Sequence, residues 1–202
     1  DRSKTRSPVI DPLTVLFASA FTSNIILANF LGGCSFIAIS KDLKSSNGLG
    51  IAVILVLVLS TVIAWLLLNY LLIPLEIQYL NLILYMVVVA AVVQVLEMLI
   101  ERLSPGLYLS LGVFLPLIVV NCAILGVVLF MEIRKYDLVQ AVAFGLGSGI
   151  GWWIAIVAMA AMRQKIDKAP VPAGLAGPGI TLISMGFMAL AFIGFSGMLR
   201  VQ

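Results

Sequence analysis

Two cysteines, Cys34 and Cys122, are the only thiols in a chain of 202 residues that contains no histidine. Each stands beside an interruption of an apolar run. Cys34 follows Asn29-Phe30-Leu31-Gly32-Gly33, where an asparagine and two glycines loosen the pattern. Cys122 lies in Phe114-Leu115-Pro116-Leu117-Ile118-Val119-Val120-Asn121-Cys122-Ala123-Ile124-Leu125-Gly126, where a proline removes a backbone donor and should kink or break a helix. With histidine absent, the commonest proton shuttle and metal ligand is missing. Thiolates suit zinc, copper and iron–sulfur clusters, and a cluster takes four of them. Two from one chain are half such a site. Two plainer readings compete. A cysteine can be a small buried hydrophobe, or the pair can form a disulfide, whose geometry no spacing secures. Placement of both thiols at helix breaks brings ligation level with simple burial.

The scaffold that must position them is apolar. Residues are 62% hydrophobic and 10% charged, against about 25% charged in soluble domains, and mean hydropathy is +1.19. This composition points to one polytopic membrane domain. The net charge of +3 comes from twelve basic residues outside the apolar runs, where such residues set orientation, so nucleic acid need not be invoked. A span needs about 20 apolar residues. Runs of that kind extend over Leu13 to Ile39, Gly48 to Ile73, Leu80 to Ile100, Leu107 to Met131, Leu138 to Met162 and Gly179 to Leu199. Polar links separate them: Ser40 to Asn47, the turns at Pro74 and Glu76 and at Ser104-Pro105-Gly106, Glu132 to Asp137, and Arg163 to Pro178. The polar tail of residues 1–12, without a cleavable signal, is set aside from fold reasoning.

The expected fold is an all-α membrane protein of six transmembrane helices in an inverted 3+3 repeat, residues 13–100 and 107–199, with broken first and fourth helices. Each half opens on a broken, cysteine-bearing run and continues into a span that starts with glycines. Three spans per half force the halves into opposite orientations, the arrangement in which sites form near mid-membrane from broken helices. A pseudo-twofold axis would then bring both sulfurs to one central point, and a partner of similar build would supply the other two. Links after spans one, three and five carry Lys41, Lys44, Arg102, Arg163, Lys165 and Lys168; the opposite side, with the tail set aside, carries Arg134, Lys135 and Arg200. Six against three places both termini outside.

Asn29, Gly33, Pro116 and Asn121 flank the thiols and could shape the site. A half-helix start presents free N–H groups and partial positive charge, which would lower the energy of an anionic cluster and raise its potential. The two asparagines could add amide donors, or merely satisfy freed backbone. Glu97, with Gln94, is a carboxylate inside a run, by default a functional hypothesis, but Glu101 and Arg102 lie within about a turn and favour an interfacial or Arg-paired role. The glycines from Gly145 to Gly151 lack the lysine and strand of a phosphate loop and favour close helix packing. Trp152 and Trp153 lie well inside the fifth run and are expected to pack against another subunit.

Phe30 to Phe36, Gly48-Leu49-Gly50, Gln94-Val95-Leu96-Glu97-Met98, Leu111 to Leu117, Asn121-Cys122-Ala123, Gly145 to Gly151 and Leu190 to Gly197 together resemble the RnfA/NqrE family, over nearly all of the chain from Leu13. These are membrane subunits of two bacterial respiratory complexes, the Rnf ferredoxin:NAD oxidoreductase and the sodium-translocating NADH:quinone reductase. The resemblance implies six helices with an inverted repeat, and a homologous RnfE/NqrD-like subunit of opposite topology. It further implies a [2Fe-2S] cluster shared between them in the lipid bilayer of the bacterial inner membrane, with Cys34 and Cys122 at the ligand positions. That cluster would relay single electrons toward flavin on other subunits, coupled to sodium or proton movement. The short link from Ile73 to Leu80 looks like RnfA, whereas Gly147 to Trp153 looks more like NqrE. Two other classes compete: a small inverted-repeat secondary transporter, and an assembly subunit without a cofactor.

Overall fold

The computed structural model describes residues 11–75, 80–103, 118, 121–170, 174 and 177–194. The tail before Asp11, Pro116 with most of the break ahead of Cys122, the Ser104-Pro105-Gly106 turn and the residues after Gly194 lie outside these. Every regular element among the described residues is helical.

The first apolar run is laid down in pieces. Helix α1 (Pro12–Phe17) passes into a π-helical turn (Ala18–Thr22), whose end is closed by the Ser23 amide donating to the Ala18 carbonyl at 2.6 Å. Helix α2 (Ile25–Asn29) and helix α3 (Gly33–Ile39) follow. Helix α4 (Leu43–Leu67) then runs through a second π turn (Leu68–Leu72) into α5 (Ile73–Leu75). Beyond it come α6 (Asn81–Leu103), α7 (Cys122–Ile133), α8 (Leu138–Ile166) and α9 (Pro178–Ile193). By length and apolarity, Leu43–Leu72, Asn81–Leu99 and Leu138–Ile166 are long enough to cross a membrane.

Among the boundaries that differ from the sequence expectation, two have a clear physical reason. Helix α4 begins at Leu43 rather than Gly48 because Asp42 caps it, its carboxylate accepting from the Ser45 amide at 3.1 Å and the Ser45 hydroxyl at 2.9 Å. Helix α8 continues to Ile166, so Arg163, read as part of a link, belongs to its last turn. There Arg163 is buried, and its Nη1 donates to the Ile37 carbonyl and the Ser40 hydroxyl, both at 2.9 Å. A cation at the C-terminal end of α3 suits the helix dipole as well as the free carbonyls.

The centre is the pair α4–α8, and small residues make it close. A Cβ added at Gly145 would meet Thr61 Oγ1, one at Gly149 would meet Ile54, and Gly50 lies under the Trp153 ring. As α8 advances from 145 to 149 to 153, its partners on α4 fall from 61 to 54 to 50, so the helices run antiparallel. On another face of α8, Gly147 packs on Ser19 and the Leu16 carbonyl, and Gly151 on the Ala20 carbonyl. Here the numbers rise together, so the first segment runs parallel to α8. Small residues that let backbones approach are how membrane helices associate, since lipid tails are as apolar as leucine. Around this centre Val53, Val56, Leu57, Trp152, Ile156 and Phe36 are buried, while Ile51, Leu55, Leu59, Ile83, Met86 and Val87 are exposed, as on a surface that meets lipid.

The remaining contacts sort the ends. The end of α3 meets the end of α8 through Arg163, and the start of α6 meets the end of α7 through Asn81, which donates to Glu132.

Gly147→Val should overpack this interface, because a Cβ there would overlap Ser19 Oγ and the Leu16 carbonyl oxygen. A loss of about 1–3 kcal/mol is expected, read as a lower thermal midpoint in detergent; an unchanged midpoint would refute the packing. The Ser45 hydrogen bonds hold the exposed Asp42 carboxylate below its ordinary range. A depressed carboxylate stabilises above its unfolded pKa and loses that stabilisation as pH falls through the folded value. Stability should therefore decline below about pH 4 in a component that Asp42→Asn removes, as followed by pH-dependent unfolding.

Candidate functional site: two thiols at adjoining helix starts

Cys34 is the second residue of α3 and Cys122 the first of α7. Both are free thiols and both are exposed. The route to Cys34 passes through two left-handed residues. Phe30 has φ 55° and ends α2, with the Leu31 amide reaching back to the Ile25 carbonyl at 3.3 Å. Gly32 has φ 90° and starts α3. A left-handed phenylalanine is an outlier, and its side chain is exposed. Helix α3 then closes on Gly32, whose carbonyl accepts from the Phe36 amide at 3.1 Å and the Ser35 hydroxyl at 3.0 Å.

The start of α7 is built by Asn121. Its Oδ1 accepts from the Ala123 amide at 3.0 Å, the N-cap bond that satisfies one free donor of the first turn. Its Nδ2 donates to Ser35 Oγ at 3.2 Å, so the cap of one thiol-bearing helix is tied to the other. A more direct tie lies beside it. The Gly32 amide donates to Cys122 Sγ at 2.9 Å. The sulfur of one half of the chain is thus bonded two residues from Cys34 in the other half.

The sequence-derived residues divide accordingly. Cys34, Cys122, Gly33 and Asn121 come together through Gly32 and Ser35. Asn29 closes α2 and is exposed. Glu97 is half-buried on α6. Trp152 corrects an expectation of intersubunit packing, since it is fully buried inside this chain beside Gly32. Trp153 is half-buried and donates from its indole to Asn47 Oδ1 at 2.9 Å. Asn24 and Ser35 escape a reading of the sequence alone. Asn24 caps α2 and donates from Nδ2 to the Gly151 carbonyl at 2.8 Å and to the Ala20 carbonyl at 3.2 Å. The usable signal is an asparagine directly before an apolar run, as at Asn121.

Chemically, the arrangement offers two soft sulfur ligands facing outward, one already accepting an N–H···S bond. Among the described residues, no three His, Cys, Asp or Glu side chains gather into a metal-binding group. Asn121→Ala removes the α7 cap and the tie to Ser35. A loss of about 1 kcal/mol is expected, whereas Asn121→Ser, which keeps an accepting oxygen at the cap without adding charge, should lose less. Equal losses in thermal unfolding would show that the cap contributes nothing.

A family model described as "Rnf-Nqr subunit, membrane protein" matches residues 13–199. Among similar proteins is a Na(+)-translocating NADH-quinone reductase subunit from Haemophilus ducreyi, 47% identical over 191 residues, covering 92% of this chain and 96% of that protein. Proteins of the same name from Psychromonas ingrahamii and Serratia proteamaculans are 46% and 48% identical, with the same coverage. The match spans both cysteine-bearing segments and the glycine-lined helix against which they pack, and the chain belongs to the Rnf-Nqr family of membrane subunits.

Proposed function

We propose that this chain is an electron-transfer subunit of an ion-translocating respiratory oxidoreductase, and that Cys34 and Cys122 supply two thiolates to a [2Fe-2S] cluster shared with a homologous RnfE/NqrD-like subunit of opposite topology. The relatives are named as subunits of a sodium-translocating NADH-quinone reductase. On that ground NADH is the electron source, a quinone the acceptor and sodium the ion. This chain is one subunit, with no complete active site of its own.

The observation that carries the cluster reading is the N–H···S bond from Gly32 to Cys122. It ties the two thiol-bearing helix starts together and presents a donor to sulfur, of the kind that tunes the potential of an anionic cluster. Both thiols are exposed in the single chain, which suits a ligand set completed by a second polypeptide. A cluster bound there would supply single-electron transfer. The chain's own part is to hold two sulfurs on short, capped helices and donate to one of them.

The helix directions suit the up-and-down threading that an inverted repeat needs. Helix α8 runs parallel to the first segment and antiparallel to α4, and the contacts at Arg163 and at Asn81 collect the ends on opposite sides. With the basic links on the Arg163 side facing the cytoplasm, both termini lie on the outer side of the inner membrane.

The chain co-purified with its homologous partner should contain iron and give a low-temperature electron paramagnetic resonance signal on reduction. Cys34→Ala and Cys122→Ala should each abolish the signal and the quinone reduction of the complex. An iron-free pair that still supports ion flux would favour a secondary transporter. Full activity in both variants would favour an assembly role.

A further inference from the structure

Cys122 sulfur receives its bond from a backbone amide whose direction depends on one left-handed turn. Gly32 has φ 90° and ψ 10°, a region in which a side chain is strained. Its surroundings would be crowded by one as well. An added Cβ would lie 3.0 Å from Ala123 Cβ, 3.0 Å from Trp152 Nε1 and 3.2 Å from Asn121 Oδ1. The turn is therefore walled by α7 on one side and by the Trp152 indole of α8 on the other.

Trp152 is fully buried, and among the described residues its Nε1 has no hydrogen-bond partner. A buried donor left unpaired is costly, and a phenylalanine would fill much of the space without it. The residue before it is fixed as well, since the Gly151 carbonyl accepts from Asn24 Nδ2 at 2.8 Å. Helix α8 thus holds an uncompensated N–H dipole in a fixed place against the turn that serves the sulfur.

We propose that Gly32 and Trp152 form a positioning pair for the Cys122 ligand. The Gly32 amide donates to the sulfur, and Trp152 fixes the turn that aims it and adds its own N–H dipole. The pair thereby raises the electron affinity of the group that the sulfur ligates. This inference rests on the iron–sulfur reading. Donors near sulfur stabilise the more negative, reduced form and raise the potential. Removing the indole N–H or displacing the amide should lower it.

The test is a potentiometric titration of the paramagnetic signal in the intact complex, for the unmodified protein, Trp152→Phe and Trp153→Phe. Trp153 is the control, because its indole already bonds to Asn47 on the other face. Trp152→Phe should disfavour reduction about tenfold, a fall of about 59 mV for one electron, while Trp153→Phe leaves the potential in place. An unchanged potential in Trp152→Phe with the cluster retained would overturn the proposal and leave the cluster reading intact. No signal in the unmodified complex would end both. Should Trp152→Phe fail to assemble, electron spin-echo spectroscopy of the unmodified complex after glycine-specific nitrogen-15 labelling decides. Coupling of the cluster to a glycine nitrogen is expected, and its absence rules the amide contact out.

Discussion

Inside an apolar medium a peptide group without a partner costs several kcal/mol, and the whole arrangement follows from how this chain meets that constraint where its helices break. The first run is interrupted after Thr22 and again at Phe30 to Gly32. Each interruption frees amides and carbonyls, and each is answered by a specific residue. Asn24 takes up the start of α2 and reaches the Ala20 and Gly151 carbonyls; Ser35 closes on Gly32; Arg163 collects carbonyl and hydroxyl at the end of α3. The Gly32 amide has a different partner, the sulfur of Cys122. One break in the backbone thereby becomes a contact with sulfur.

Helix α8 is the element to which these solutions are referred. Its small residues let the first segment approach on one face and α4 on another. Its Gly151 carbonyl receives Asn24, its Trp152 borders Gly32, and its Arg163 holds the far end of α3. Helix α3 has seven residues, too few to be stable alone in water. Gripped at both ends by one long helix, it presents Cys34 from a defined place. The two thiols and the left-handed Phe30 are exposed on the surface of this assembly. That is the surface on which a second polypeptide would complete a four-sulfur set in the proposed function.

Much of this is readable from particular residues. The helical class and membrane setting follow from long apolar runs with polar links. The thiols stand out because so few groups in the chain can ligate anything, and because glycine, asparagine and proline next to them are incompatible with an undisturbed helix. The glycines of α8 read as packing residues, and they pack. Trp152 misleads: an aromatic residue in an apolar run looks the same whether it faces a neighbour or its own core. Arg163 reads as part of a link because charge normally marks the end of a span, and its burial is made tolerable by the Ile37 carbonyl and Ser40 hydroxyl at the end of α3.

Local composition by itself determined where the chain enters apolar surroundings, where its helices must break, and which two atoms could bind a soft metal. These are properties of neighbouring residues and need no knowledge of the rest. Which break meets which helix was decided only by tertiary structure. The Gly32 amide and the Cys122 sulfur are 90 positions apart, and nothing in either segment names the other. Their meeting depends on how far α8 lets the first segment approach, a matter of side-chain volume at Gly147 and Gly151 summed over a whole interface.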